Sequence, residues 1–210
     1  AANAKHQTPL LLAITKNSTN IVTRLLAAGA DPTLADPEGT SPLILAAYNG
    51  RVDIVRILLD AGADPKRADN RGRTPMHRAA TAKSAPVITL LAEAGADIKA
   101  LDKKENTPLR NACSVNGRVV VDRLLELGAD PNLGDDGPLV AVGYNDSALE
   151  LFDVLMEHGA QLETALPHLL LVAATYGKTN LVTKLVEHGA DLDTPGVNGK
   201  TAVAFARQNN

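Results

Sequence analysis

Apolar residues recur along the chain at helical spacing, in short runs that all end alike. Val52, Val55, Leu58 and Leu59 share one helical face, and Gly62-Ala63-Asp64-Pro65 closes the run. Nearly the same words close four other runs: "LLAAGADP", "LLAEAGADI", "LLELGADP" and "LVEHGADL". Each run predicts a helix ended by a glycine that accepts the left-handed conformation. A second phrase precedes each of the first four runs: Thr8-Pro9-Leu10, Ser41-Pro42-Leu43, Thr74-Pro75-Met76 and Thr107-Pro108-Leu109. A hydroxyl that can cap a helix, followed by proline with its preset φ, predicts a first helix there. The chain therefore reads as helix pairs joined by polar turns.

The two phrases keep one period. The turn glycines are Gly29, Gly62, Gly95, Gly128, Gly159 and Gly189, separated by 33, 33, 33, 31 and 30 residues. From each capping Thr or Ser of the first four phrases to the next turn glycine is 21 residues. Two interlocked motifs at one period mark an internal repeat.

On these residues the chain resembles the ankyrin repeat family over essentially its whole length. Residues 36–68, "DPEGTSPLILAAYNGRVDIVRILLDAGADPKRA", follow that family's pattern throughout. The resemblance implies an all-α solenoid of stacked helix-turn-helix units with projecting hairpin fingers. The expected division is a single array of repeats 3–35, 36–68, 69–101, 102–134, 135–165 and 166–195, with a C-terminal half repeat 196–210. Small pairs such as Ala79-Ala80 keep the first helix thin, so that neighbours approach and bury a continuous core. Asp64 through Gly72 forms a finger shared with the next repeat. Polar Arg207, Gln208 and Asn209 suit a water-facing end.

The period also breaks. Numbering each finger by the repeat it precedes, the second to fourth span 13 residues from turn glycine to helix-start proline. Gly128 to Pro138 is only 10, and so is Gly159 to Leu169, which stands in the proline position. The fifth and sixth fingers are thus expected to be about three residues short, and the fifth repeat gains a residue near Asp146–Ala148. Loop drift accounts for this, since connections tolerate length changes; room for a bulky partner is the other reading.

Bulk composition narrows the function. Aromatics are 2% of residues, so Leu, Val, Ile and Ala must build the core. A formal net charge of −3 offers no long-range attraction to nucleic acid or anionic lipid. The single cysteine, Cys113, excludes an internal disulfide and reads as a small buried thiol. It fits a reducing cytoplasm, and equally a periplasm or exterior where the fold needs no bridge. No apolar run reaches the roughly 18 residues of a membrane helix. The start Ala1-Ala2-Asn3-Ala4 fits a trimmed chain, or a mature form after signal removal.

Chemical motifs fall away on inspection. Gly196 to Thr201 resembles a phosphate loop but has two residues between its glycines where four are needed. No pair among His6, His77, His158, His168 and His188 has metal spacing on a helix. His158 and His188 precede turn glycines, where a cation suits a helix C-terminus, and His77 reads as structural. Asp135-Asp136 lack the opposed geometry of acid–base catalysis. Asn17-Ser18-Thr19 and Asn145-Asp146-Ser147 match the glycosylation pattern, as chance triplets do. No enzyme activity, cofactor or metal is expected.

Ankyrin-like arrays hold targets on a concave face of finger tips and first-helix ends. Carried onto this chain, the helix ends are Thr15-Lys16, Tyr48-Asn49, Thr81-Ala82, Ser114-Val115, Tyr144-Asn145 and Thr175-Tyr176. All three tyrosines of the chain fall in this set, and tyrosine is a favoured interface anchor. Arg71 and Arg73 lie on the third finger and Lys103 and Lys104 on the fourth, with Arg67, Arg78 and Arg110 nearby and Asp135-Asp136 beyond. The expected partner-binding residues are Tyr48, Asn49, Arg71, Arg73, Thr81, Lys103, Lys104, Ser114, Tyr144, Asn145 and Tyr176. The expected partner is another protein, which should present acidic groups over the middle repeats if the basic patch is functional and not plain solvated surface, and the free chain is expected to be a monomer. Within that reading stand a cytoplasmic adaptor, an inhibitor or immunity-type protein covering an enzyme's active site, in a bacterial periplasm as one version, and a secreted bacterial effector. A nucleic-acid-binding array is the rival of another class, disfavoured by charge and by five aromatics. Membrane insertion is not expected.

Overall fold

The computed structural model describes residues 8–134, 137–145, 148–193 and 201. These form twelve α-helices and no strand. They alternate as α1 (Pro9–Thr15) and α2 (Thr19–Ala27), α3 (Pro42–Tyr48) and α4 (Val52–Asp60), then α5 (Pro75–Thr81) and α6 (Ala85–Glu93). The order continues with α7 (Pro108–Ser114) and α8 (Arg118–Glu126), α9 (Pro138–Val142) and α10 (Ala148–Glu157), and α11 (Leu162–Thr175) and α12 (Thr179–Glu187). The segment 196–210, His6, Asp135, Asp136, Asp146 and Ser147 lie outside the described residues, apart from Thr201.

The first helices start where the chain offers a cap. The hydroxyls of Thr8, Ser41 and Thr107 accept from the backbone N–H groups of Leu11, Ile44 and Arg110 at 3.1–3.2 Å. Such a cap is worth about 1 kcal/mol against alanine. The proline that follows has no N–H to leave unsatisfied. At the end of α6, Gly95 has φ +83, its N–H bonds the Ala92 carbonyl, and the Ala96 N–H reaches back to Leu91. This closes carbonyls that the helix end would otherwise orphan.

Odd-numbered helices form one layer and even-numbered helices the other. α3 packs on α5, α5 on α7, α7 on α9 and α9 on α11, while α4, α6 and α8 line up behind them. The first-helix contacts are made by small residues: Ala46 and Ala47, Ala79 and Ala80, and Ala112 and Cys113 are fully buried. Between the layers Leu58, Leu91, Leu124, Leu155 and Leu185 are fully buried at equivalent positions. Each contributes about 1.5–3 kcal/mol of burial that no single pair could supply alone.

The two irregular repeats depart from expectation. The segment between Gly159 and Leu169 is not a short finger; α11 begins at Leu162 and runs through Pro167. Leu162, Ala165, Leu166 and Leu169 recur at i, i+3, i+4 and i+7, and all are buried in or packed against the core. Pro167 removes one backbone bond but sits on the exposed side. With no sixth finger to pair, Asn132 ties neighbouring turns: its amide donates to the Gly159 carbonyl at 3.0 Å and its oxygen accepts from Gln161 N–H at 2.7 Å. The other departure is α9, which ends at Val142, two residues before Tyr144. Gly143 follows it where the second, third, fourth and sixth repeats hold Ala47, Ala80, Cys113 and Ala174, and a Cβ there would lie 2.7 Å from Val172 Cγ1. Glycine therefore lets α11 approach and also ends the helix early.

A β-branched residue resists positive φ, whereas the space around Gly95 is open. Gly95→Val is therefore expected to cost about 1–3 kcal/mol through backbone strain alone. Urea unfolding checks this, and wild-type stability of the variant would refute the turn geometry.

Candidate functional site

Each regular finger is closed by an aspartate at its base. Asp36, Asp69 and Asp102 donate their N–H to the carbonyls of Thr40, Arg73 and Asn106 at 3.0–3.2 Å. The same carboxylates accept from backbone N–H groups: Asp36 from Thr40, Asp69 from Arg71 and Arg73, and Asp102 from Lys104 and Asn106. Burial pushes the Asp69 and Asp102 carboxyls up, but the bonds they accept outweigh it and hold both below the usual range. Adjacent fingers then zip together, with Asn70 N–H on the Glu38 carbonyl and Lys103 N–H on the Arg71 carbonyl, both at 3.0 Å. Glu105 takes φ +57 at the fourth finger tip, where the second and third fingers use Gly39 and Gly72.

Between the third and fourth fingers and the ends of α5 and α7 lies a groove of about 560 Å³. Arg71, Arg73, Thr81, Lys103, Lys104 and Ser114 line it together. These are six of the eleven residues singled out in the sequence. Arg78, Asn106 and Asn111 line it too. The inner wall is a helical ridge: Arg78 and Thr81 stand three and six residues after Pro75, and Asn111 and Ser114 likewise after Pro108. That i, i+3 spacing on the first helix is the signal by which Asn111 is found from sequence. Arg67 lies elsewhere, its guanidinium donating to the Thr33 carbonyl at 2.8 Å.

The groove's cations fall into two sets. Arg73 and Arg78 both bond the Asp69 carboxylate, at 2.9 and 3.2 Å, and Asp69 is only 6% exposed. Arg71, Lys103 and Lys104 are exposed and make no ion pair among the described residues. Arg78 also places its guanidinium 5.2 Å from the centre of the Tyr48 ring. The buried Nε atoms of Arg78 and Arg110 have no partner among the described residues.

The tyrosines keep half or nearly half of their surface. Tyr48, Tyr144 and Tyr176 are 50%, 42% and 54% exposed. Tyr144 and Tyr176 meet edge to face with ring centres 5.2 Å apart, which places one aromatic pair at the far end of the array. Asn145 differs from its neighbour: it is 7% exposed and its amide donates to the Cys113 carbonyl. It links two repeats and does not offer a surface contact. Asn49 is half-buried and caps α3.

Two further groups are structural. His77 Nδ1 accepts from the backbone and hydroxyl of Thr74, and Nε2 donates to the Asn106 carbonyl at 2.9 Å. The neutral ring thereby holds the fourth finger to α5. Cys113 is wholly buried, and burial pushes its thiol up to about 12, far from a reactive thiolate. Among the described residues no group of three or more His, Cys, Asp or Glu is arranged to hold a metal. No helix of the described residues is long and apolar enough to cross a membrane.

A family model of ankyrin repeats (3 copies) matches residues 1–69 and 65–135. The chain belongs to the ankyrin repeat family. Its fold is similar to that of the human ASB11 ankyrin repeat domain, a crystal structure, at 24% identity and a TM-score of 0.79. The alignment covers 95% of this chain and 92% of that one. No curated protein matches this sequence. Arrays of this family are in general non-enzymatic protein-interaction modules, and the all-helical architecture is theirs.

Burial is the main cause that depresses the His77 pKa below its ordinary value, partly offset by the Asn106 carbonyl, Asp102 and Asp69. A histidine held neutral by the fold costs stability when the unfolded ring binds protons and the folded ring does not. Stability is therefore expected to fall as pH drops below about 6.5, before the carboxylates titrate. Urea midpoints at about pH 7.5 and about pH 5 should differ less in His77→Gln than in the wild type. An equal difference in both would contradict the neutral, buried ring.

Proposed function

We propose that the protein is a scaffold that holds a partner protein on its concave face, across the third and fourth fingers and the exposed tyrosines. One observation carries this reading: six residues chosen for their place in the repeat, from two fingers and two helices, line a single groove. A specific interface needs roughly 800 Å² per partner, which three or four repeats can present. The surface is built before the partner arrives, because fingers are pinned by aspartate turns and by inter-finger bonds. Little ordering entropy is then lost on docking.

Tyr48 and Tyr144 bracket the groove along the array. The double variant Tyr48→Ala, Tyr144→Ala is expected to weaken capture of a partner from the source organism's extract by about tenfold or more. Its urea midpoint should stay near wild type, since both rings keep half or nearly half of their surface and lie outside the buried core. Undiminished capture by the folded double variant would remove the tyrosine-anchored docking face.

A further inference from the structure

We propose that the groove between the third and fourth fingers is a receptor for a run of carboxylates on an extended segment of the partner protein. The assignment rests on the docking reading above and gives it a chemistry. Five cations line the groove: Arg71, Arg73, Arg78, Lys103 and Lys104. Two carboxylates stand against them, and both are occupied. Asp69 is buried and shared by Arg73 and Arg78. Asp102 lines the groove, but it accepts from Lys104 N–H, Asn106 N–H and the Asn106 amide of its own finger, at 2.8–3.1 Å. Arg71, Lys103 and Lys104 are left as an uncompensated, exposed triad on adjoining finger tips.

Inside the groove the ridge of α7 adds a donor. Among the described residues the Asn111 side-chain amide makes no hydrogen bond, while Ser114 and Thr81 spend their hydroxyl protons on the carbonyls of Asn111 and His77. Lys103 and Lys104 carry mobile point charges and Arg71 a planar fork, a set that suits several carboxylates in a row better than one fixed anion. About 560 Å³ holds a few side chains of an extended strand. A nucleic acid would want aromatic faces for its bases. The groove is lined by none, and the ring of Tyr48 beside it already carries Arg78.

A fluorescein-labelled oligoglutamate peptide tests the assignment by fluorescence anisotropy, against oligoglutamine and against oligothymidylate of equal charge. The intact chain should bind oligoglutamate saturably and favour it over both controls. Raising NaCl from about 50 to about 300 mM should weaken the binding. R71E/K103E/K104E should lose about tenfold or more, and R51E/R56E on exposed positions of the other layer should not. The milder K103Q/K104Q, at two exposed positions, gives an intermediate loss and guards against misfolding of the triple variant. No saturable binding by the wild type, equal binding by the triple variant, or preference for oligothymidylate would each overturn the carboxylate assignment. Should oligoglutamate fail while the tyrosine variant still loses its captured partner, docking stands and only its acidic chemistry falls.

Discussion

The whole architecture depends on how closely one first helix can lie against the next. That distance is set by residues with almost no side chain: Ala46 and Ala47, Ala79 and Ala80, Ala112 and Cys113, and then Gly143 against Val172. A larger side chain at any of these positions would push neighbours apart, and close-packed interiors yield poorly to added volume. Because each pair buries its surface only against adjacent pairs, the spacing propagates along the array. The layer of longer helices, with its row of buried leucines, follows from that spacing.

The same constraint positions the fingers. Two thin helices side by side bring their preceding turns close enough for Asn70 to bond Glu38 and Lys103 to bond Arg71 through the backbone. Each finger is first made rigid by its own aspartate, which is why Asp69 and Asp102 hold their charge despite burial. His77 then fastens the fourth finger to the helix beside it by donating to Asn106. A groove results whose cations are carried on a backbone held in place. Ion pairs on the far side, such as Arg118 with Asp122 and Glu150, are exposed and add little to this.

Most of the regular array was legible in the sequence, because caps, turn glycines and small residues each encode a local requirement. Thr107 caps, Gly95 takes positive φ, and the buried leucines recur on the period. What escaped depended on tertiary context or on a second pattern beneath the first. The helical extension at Leu162 lies behind a length difference that a shortened turn fits equally well, although the i, i+3, i+4, i+7 spacing is present. The early end of α9 follows from Gly143, whose packing role needs α11 to be seen. At the site, placement on fingers and helix ends brought six residues into one groove. Burial of Asn145 next to the exposed Tyr144 was not visible, since adjacent residues just past a helix can face opposite ways. Nor could charge counting show that Asp69 engages Arg73 and Arg78 and leaves Arg71, Lys103 and Lys104 uncompensated.

The spacing of the first helices is tested most directly by enlarging one contact. Ala80 is fully buried between α5 and its neighbours, whereas Ala28 is exposed at the end of α2. Equilibrium urea unfolding of Ala80→Leu should show a loss of about 1–3 kcal/mol, with Ala28→Leu close to wild type. Equal stability of the two variants would mean that the helices do not depend on small residues to meet, and the account would fail.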